Sequence, residues 1–184
     1  MLVLGLIGKR ACGKNIFAEH LRDKYRFSVL DFTEGVLVPI LRKQGKPVTR
    51  KKLTALAMKL RKRYGDDILI KRLCKNIRGE GNLVISNIRF PKEVAYMHRR
   101  FGDGFRLIAI EADPKLRYER AKKRGIKGEK RLSFKEFMKL ESLPTERIIP
   151  RTMELADFVI ANNKTPRDLC KKIDNLMEKL GVKI

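Results

Sequence analysis

Residues 2–17 read Leu2-Val-Leu-Gly-Leu-Ile7-Gly8-Lys-Arg-Ala-Cys-Gly13-Lys14-Asn15-Ile16-Phe17. An apolar run of strand length feeds a loop whose two glycines stand five residues apart, with a lysine directly after the second. A helical pattern of apolar residues (Ile16, Phe17, Ala18, Leu21) follows at once. This is the strand, GxxxxGK, helix order of a phosphate-binding loop. Glycines let the backbone curl so that successive N–H groups point inward at phosphate oxygens. The helix N-terminus adds partial positive charge, and Lys14 reaches the β- and γ-phosphates. Gly8, Lys9, Arg10, Ala11, Cys12, Gly13, Lys14 and Asn15 are the candidate nucleotide-binding positions. The competing reading is a glycine-containing turn with no ligand. Context, spacing and lysine all favour the phosphate loop.

One position departs from the motif. The usual residue after the lysine is Ser or Thr, whose hydroxyl binds Mg²⁺; here it is Asn15. An amide oxygen can ligate Mg²⁺ or orient one of its waters, with a different reach.

Working outward, 184 residues fit one domain, 1–184, with a full hydrophobic core. No run of 18 apolar residues occurs, and the first apolar run is short and lacks a basic region before it. The expectation is a cytoplasmic protein without a membrane span. The three cysteines, Cys12, Cys74 and Cys170, are widely spaced and imply neither a disulfide framework nor a metal pair. Cys12 lies inside the loop, where backbone N–H groups could lower its thiol pKa; the alternative is a small side chain that the loop tolerates. His20 and His98 fall in helical patterns and read as surface or packing residues.

Charge is the most unusual feature of the composition: 44 basic against 21 acidic side chains, formally +23. Arg42–Arg63 carries ten basic residues and no acid, and Lys115–Lys135 carries ten more against Glu119 and Glu129. Three readings compete: binding of ATP with a second phosphorylated molecule, electrostatic contact with nucleic acid, or a thermophile's Lys-rich surface.

Short apolar bursts alternate with longer amphipathic stretches, with no repeat or low-complexity tract. Strands are expected over Leu2–Ile7, Phe27–Phe32, Asn82–Ser86, Phe105–Ile110 and Phe158–Ala161. The bursts Leu83–Ile85, Leu107–Ile110 and Phe158–Ile160 read as buried on both faces. Helices are expected over Lys14–Lys24, over Gly35–Lys43 with a bend near Pro39, and over Thr49–Tyr64 with Gly65 as the stop. Others begin at Asp66 or Asp67 and end near Gly79, run from Pro91 to Phe101, and run from Asp113-Pro114 to Gly125. Ser133-Phe-Lys-Glu136 has capping-box spacing, and Thr165-Pro166-Arg-Asp168 opens a last helix that Gly181 closes. Strand–helix alternation predicts an α/β fold, a parallel sheet of about five strands sandwiched by helices. Ligands of such sheets bind at the carboxyl ends of the strands. That rule directs attention to Asp31–Glu34, Ser86–Arg89, Ala112–Asp113 and Asn162–Thr165 alongside the loop.

With these residues gathered, the chain resembles the small P-loop kinases of the nucleoside monophosphate kinase group, and most closely archaeal-type nucleotide kinases related to dephospho-coenzyme A kinase. The resemblance spans nearly the whole chain. It rests on Gly8–Lys14; on Leu83-Val-Ile-Ser-Asn-Ile-Arg89 followed by Pro91-Lys-Glu-Val94; on Asp113–Arg120 through Arg124-Gly125; and on Leu155–Asn163 with Thr165. It implies the P-loop kinase fold, with a helical insertion at 35–64 covering the acceptor and a lid at 125–143. Lys14, Arg89, Arg120, Arg124 and Asp31 are then the catalytic candidates. Arg124 and Arg131 belong to the lid, Glu34 and Arg89 face the acceptor, and Asn163 and Thr165 lie by the adenine base. The alternatives for these positions are a solvated basic helix face, a surface arginine and an ordinary helix cap.

Relatives place an Asp at the end of the third strand to hold Mg²⁺ through water; this chain has Ser86-Asn87. Asn15 and Asp31 become the candidate metal positions, ATP and Mg²⁺ the expected cofactors. The implied activity is transfer of the γ-phosphoryl to a nucleoside or deoxynucleoside monophosphate or a dephospho-coenzyme A-like acceptor. Two alternatives stay open: a nucleotide-binding module with weak or lost transfer that contacts RNA or DNA through its basic face, and a kinase acting on a polynucleotide end.

Overall fold

A computed structural model describes residues 1–75, 77 and 81–183, without the side chains of residues 50 and 126–128. The chain begins β1 (Val3–Ile7), α1 (Lys14–Tyr25) and β2 (Ser28–Leu30). A π-helical turn (Thr33–Leu37) then leads into α2 (Val38–Lys43), α3 (Arg50–Tyr64), α4 (Ile68–Lys75) and β3 (Leu83–Ile85). Next come α5 (Pro91–Phe101), β4 (Phe105–Glu111) and α6 (Pro114–Arg124). The short helices α7 (Phe134–Lys139), α8 (Pro144–Arg147) and α9 (Ile149–Met153) follow, then β5 (Phe158–Ala161) and α10 (Pro166–Lys179). Further 3-10 turns span Gly102–Gly104, Ile126–Arg131 and Leu140–Ser142.

All five strands are parallel, in the order β2-β3-β1-β4-β5. β1 pairs on both sides, Val3 opposite Leu83 and Phe105, and all five of its residues are buried. That central position explains its unbroken apolar run. Phe158–Ile160 departs from the sequence expectation: β5 is an edge strand, with Val159 59% exposed. A run of three apolar residues cannot distinguish an edge from a centre. β2, at the other edge, is shorter than expected and half exposed.

Two cores flank the sheet. On one face α1 and α10 pack Phe17, Leu21, Leu169 and Ile173 against Leu4, Leu6 and Ile108. On the other, Leu69, Leu73, Val94 and Met97 from α4 and α5 pack against Val3, Ile85 and Leu107. The helix signals mostly hold. Thr49 accepts from the Lys52 N–H, Gly65 closes α3, and capping boxes open α7 at Ser133 and α10 at Thr165. Pro39 follows a π-helical turn that runs unbroken into α2, with the Val38 N–H on the Thr33 carbonyl, so the expected bend is instead a junction of π-helical and α-helical turns. The expected end of α4 near Gly79 lies outside the described residues. No helix among the described residues is long and apolar enough to cross a membrane.

Candidate active site

The loop Gly8–Gly13 leaves the carboxyl end of the central strand and enters α1 at Lys14. Both glycines are required by the geometry. Gly8 has φ +153°, and a Cβ there would lie 2.4 Å from the Ile110 carbonyl oxygen. Gly13 has φ +116°, and a Cβ there would lie 2.4 Å from the Asn162 amide nitrogen. Ala11 between them is also left-handed, at φ 58°. Left-handed residues interspersed along a loop are the backbone pattern of an anion-binding concavity.

Lys14 folds over this loop. Its Nζ donates to the carbonyls of Gly8 (2.6 Å) and Lys9 (3.0 Å) and lies 3.6 Å from Cys12 Sγ. Burial pushes the Lys14 ammonium below its ordinary pKa; Cys12 opposes that, and Arg89 and Glu146 act with opposite signs on the same group. The Arg89 and Glu146 charges therefore lie within electrostatic reach of the phosphate loop. Arg89 pairs with Glu146 and donates to the Thr145 carbonyl at 3.3 Å. Its backbone is fixed from behind: the fully buried Glu93 accepts the N–H groups of Arg89 (2.8 Å) and Phe90 (3.1 Å), and Thr152 Oγ1 donates to the Arg89 carbonyl at 2.9 Å. Glu93 also holds Arg61 at 3.1 Å, tying α3 to the Arg89 turn. Burial raises the Glu93 carboxyl above its ordinary pKa, against the pull of Arg61 and the two N–H groups.

At the ends of β2 and β3, Asn87 meets Asp31. Asn87, left-handed at φ 69°, donates its side-chain amide to Asp31 Oδ2 at 3.0 Å, and the Thr33 N–H donates to Asp31 Oδ1 at 2.6 Å. Asn tolerates that conformation better than most residues. Each Asp31 oxygen keeps a further acceptor position. Glu34 is exposed in the π-helical turn and Asn15 is exposed in the first turn of α1.

Glu129 and Glu141 bring acids onto the loop's cations. Glu129, 1% exposed, accepts from Arg10 at 3.1 Å and Arg124 at 2.8 Å. Glu141 pairs with Lys9 at 2.8 Å and with the buried Arg117. Arg124 thus reaches the loop's surroundings through Glu129, and Arg120 reaches them through Asn162: it donates to the carbonyls of Asn162 (2.9 Å) and Lys164 (2.8 Å) and braces the loop after β5. Arg131 is exposed at the end of a 3-10 turn. Asn163 accepts the Asp113 N–H at 2.9 Å, and Thr165 caps α10. Sequence reading missed Arg117, Glu129, Glu141 and Glu146, and placed Asn162 at a strand end without its partner. Asn162 donates to the Cys12 carbonyl at 2.8 Å, joining the β5 loop to the phosphate loop. Beside these groups a cavity of about 630 Å³ is lined by Lys9, Cys12, Asp113, Arg117 and Met153.

Sheet order, central phosphate loop and helical layers define the α/β P-loop kinase fold. Comparison with solved structures agrees: a shikimate kinase from Bacteroides thetaiotaomicron superposes with TM-score 0.62 at 14% identity, covering 98% of both chains. By sequence, the chain's homologues are archaeal UPF0200 proteins. It is 27% identical to a UPF0200 protein of Methanocaldococcus jannaschii over 98% of this chain and 91% of that protein. It is 30% identical to a UPF0200/UPF0201 protein of Archaeoglobus fulgidus over 98% of this chain and 56% of that longer protein. No protein-family model matches the chain.

Proposed function

We propose that the chain is an ATP-dependent phosphotransferase that moves the γ-phosphoryl group to a small phosphorylated acceptor. A nucleoside or deoxynucleoside monophosphate is the first acceptor class, and dephospho-coenzyme A is the second, on the resemblance to that kinase. The observation that carries the proposal is Lys14 folded over the Gly8 and Lys9 carbonyls at the end of the central strand, with the Arg89 charge in reach. An acceptor oxygen attacks the γ-phosphorus as the bridging P–O bond to the β-phosphate breaks. ADP leaves and the acceptor proton passes to a carboxylate, for which Asp31 is the candidate. Lys14 and the loop N–H groups stabilise charge on the leaving phosphate, and Arg89 stabilises charge on the transferring group. Arg124 adds to this if the lid turns it from Glu129 toward the phosphates.

The oxygen donors present suit Mg²⁺: the Asp31 carboxylate with open acceptor positions, and the exposed amide of Asn15. Mg²⁺ supplies charge neutralisation on the β- and γ-phosphate oxygens. Among the described residues no group of three or more His, Cys, Asp or Glu is placed to hold a metal. A second reading, a nucleotide-binding module with weak or lost transfer, is favoured by one observation: both Asp31 oxygens already accept protein N–H groups.

Transfer of label from γ-labelled ATP or GTP with Mg²⁺ tests the proposal. The acceptor panel holds all ribo- and deoxynucleoside monophosphates and dephospho-coenzyme A. It also holds shikimate, because the superposed enzyme is a shikimate kinase and an arginine pairs with carboxylate as with phosphate. Label in one phosphorylated acceptor, lost in Lys14→Ala, supports it; label in shikimate alone overturns the phosphorylated-acceptor class and keeps the kinase. Nucleotide binding with no acceptor labelled moves the account to the binding module.

A further inference from the structure

The excess positive charge is not spread evenly. Between Glu34 and Asp66 the chain has no acidic residue. In the fold this stretch is the π-helical turn, α2 and α3, and it presents one face to solvent. Lys51, Lys52, Lys59, Lys62 and Arg63 are all exposed along α3. At 100° per residue they fall within a sector of roughly 120°. None of the five takes part in an ion pair among the described residues, whereas the inward Arg61 of the same helix is paired with Glu93. A helix that needed these charges only for solvation would gain from interspersed acids at i and i+4; here like charges repel along the whole face.

Beside the C-terminal end of this face, about 100° further round the helix from Arg63, lies an aromatic group. Tyr64 is 47% exposed. The guanidiniums of Arg63 and Arg72 lie over its ring at 5.2 and 5.6 Å from the centroid. Met58, 58% exposed, borders the cation face at its other edge, beside Lys51 and Lys62. A track of cations ending in an aromatic ring with flanking guanidiniums is the combination that binds single-stranded nucleic acid. Cations follow the phosphates, and bases stack on the ring and on arginine planes. From Lys51 to Lys62 the helix rises about 17 Å, and each of the five cations can meet one phosphate along it.

We propose that the exposed face of α3, with Tyr64 at its end, is a binding surface for single-stranded nucleic acid, separate from the phosphate loop. The proposal stands independently of phosphoryl transfer. Its test is fluorescence anisotropy of a labelled 12-nucleotide oligoribonucleotide and its deoxy counterpart, titrated with the full chain from 50 to 200 mM salt. Four to five phosphate contacts give a log–log salt slope of roughly −3, so affinity falls roughly 60-fold over that range. Lys51→Gln/Lys59→Gln/Lys62→Gln should flatten the slope by about 2. Tyr64→Ala should weaken binding roughly tenfold with the slope unchanged. A control removes the same charge elsewhere, Lys123→Gln/Lys171→Gln/Lys179→Gln, and should leave affinity within about twofold on the proposed assignment. Circular dichroism confirms that each variant is folded.

Equal losses in the two triple variants would show a diffuse polycation and overturn the proposal. Displacement of the oligonucleotide by saturating MgATP would place it at the phosphate loop and overturn it too. So would binding to vesicles containing anionic lipid with none to either oligonucleotide, which would mark a membrane surface instead.

Discussion

Gly13→Ala is the sharpest test of how the phosphate loop is held. At φ +116° an L residue carries strain of about 1–2 kcal/mol. The new methyl would start 2.4 Å from Asn162 Nδ2, with Leu169 Cδ2 behind it at 3.1 Å. The side chain of Asn162 must move, breaking its 2.8 Å bond to the Cys12 carbonyl inside the loop. Leaving that buried acceptor unpaired costs a further ~1–3 kcal/mol. Together the loss is about 2–5 kcal/mol, large but within the stability of an ordinary domain. At ~3 kcal/mol, melting falls by roughly 6–12 °C. Urea unfolding of Gly13→Ala, Asn162→Ala and the double variant gives the coupling. Truncating Asn162 removes the group the methyl strikes, so the double variant should lose at least ~1 kcal/mol less than the sum of the singles. A Gly13→Ala loss under about 1 kcal/mol, or additivity within ~0.5 kcal/mol, would refute the contact between the two loops.

Three more expectations follow from the charges around the site. Arg61→Met leaves Glu93, 0% exposed, without its cation and should cost about 3–5 kcal/mol, against roughly 1 for Glu93→Gln. Glu93 titrates above its ordinary value of 4.5 when folded, so its contribution to stability is full below pH 4.5 and is lost as pH rises through the folded pKa. Arg61→Met should deepen that loss, and urea midpoints that stay parallel to wild type from pH 4.5 to 8 would contradict the pairing. Glu141 behaves oppositely: burial pushes its carboxyl up, but the hydrogen bonds from Arg117 and Lys9 outweigh burial and hold it below 4.5. Its stabilisation is present above pH 4.5 and lost as pH falls through the folded pKa, so Glu141→Gln should be roughly 1–3 kcal/mol less stable at pH 7 and should show a shallower acid limb in urea midpoints measured below pH 5. Arg89→Ala should lower kcat for transfer by about 10²–10³-fold, and a change confined to KM would remove Arg89 from the reacting phosphate.

The phosphate loop was legible because its determinants are contiguous: strand, glycines and lysine all lie within residues 2–14. Caps at Thr49, Ser133 and Thr165 and the helix-opening Pro91 were legible for the same reason, since their partners lie within one turn. What escaped is non-local. Arg10 and Glu129 are 119 positions apart, Lys9 and Glu141 are 132 apart, and Asn162 and Cys12 are 150 apart. No periodicity in either segment signals such a partner. Arg117, Arg120 and Arg124 share one side of α6, but which of them faces the phosphate loop depends on where the loop after β5 lies. That loop takes Arg120 and leaves Arg117 to Glu141. The edge position of β5 was hidden likewise, because Phe158-Val-Ile160 carries the composition of a central strand while β4 alone pairs with it.

The central claim is that residues 8–15 form the phosphate site of a nucleotide, and calorimetric titration with MgATP tests it most directly. The wild-type chain should bind one MgATP per molecule, and Lys14→Met, with its circular dichroism unchanged, should show no measurable heat at the same concentrations. Equal binding by both proteins, or none by the wild type with either ATP or GTP, would contradict the account.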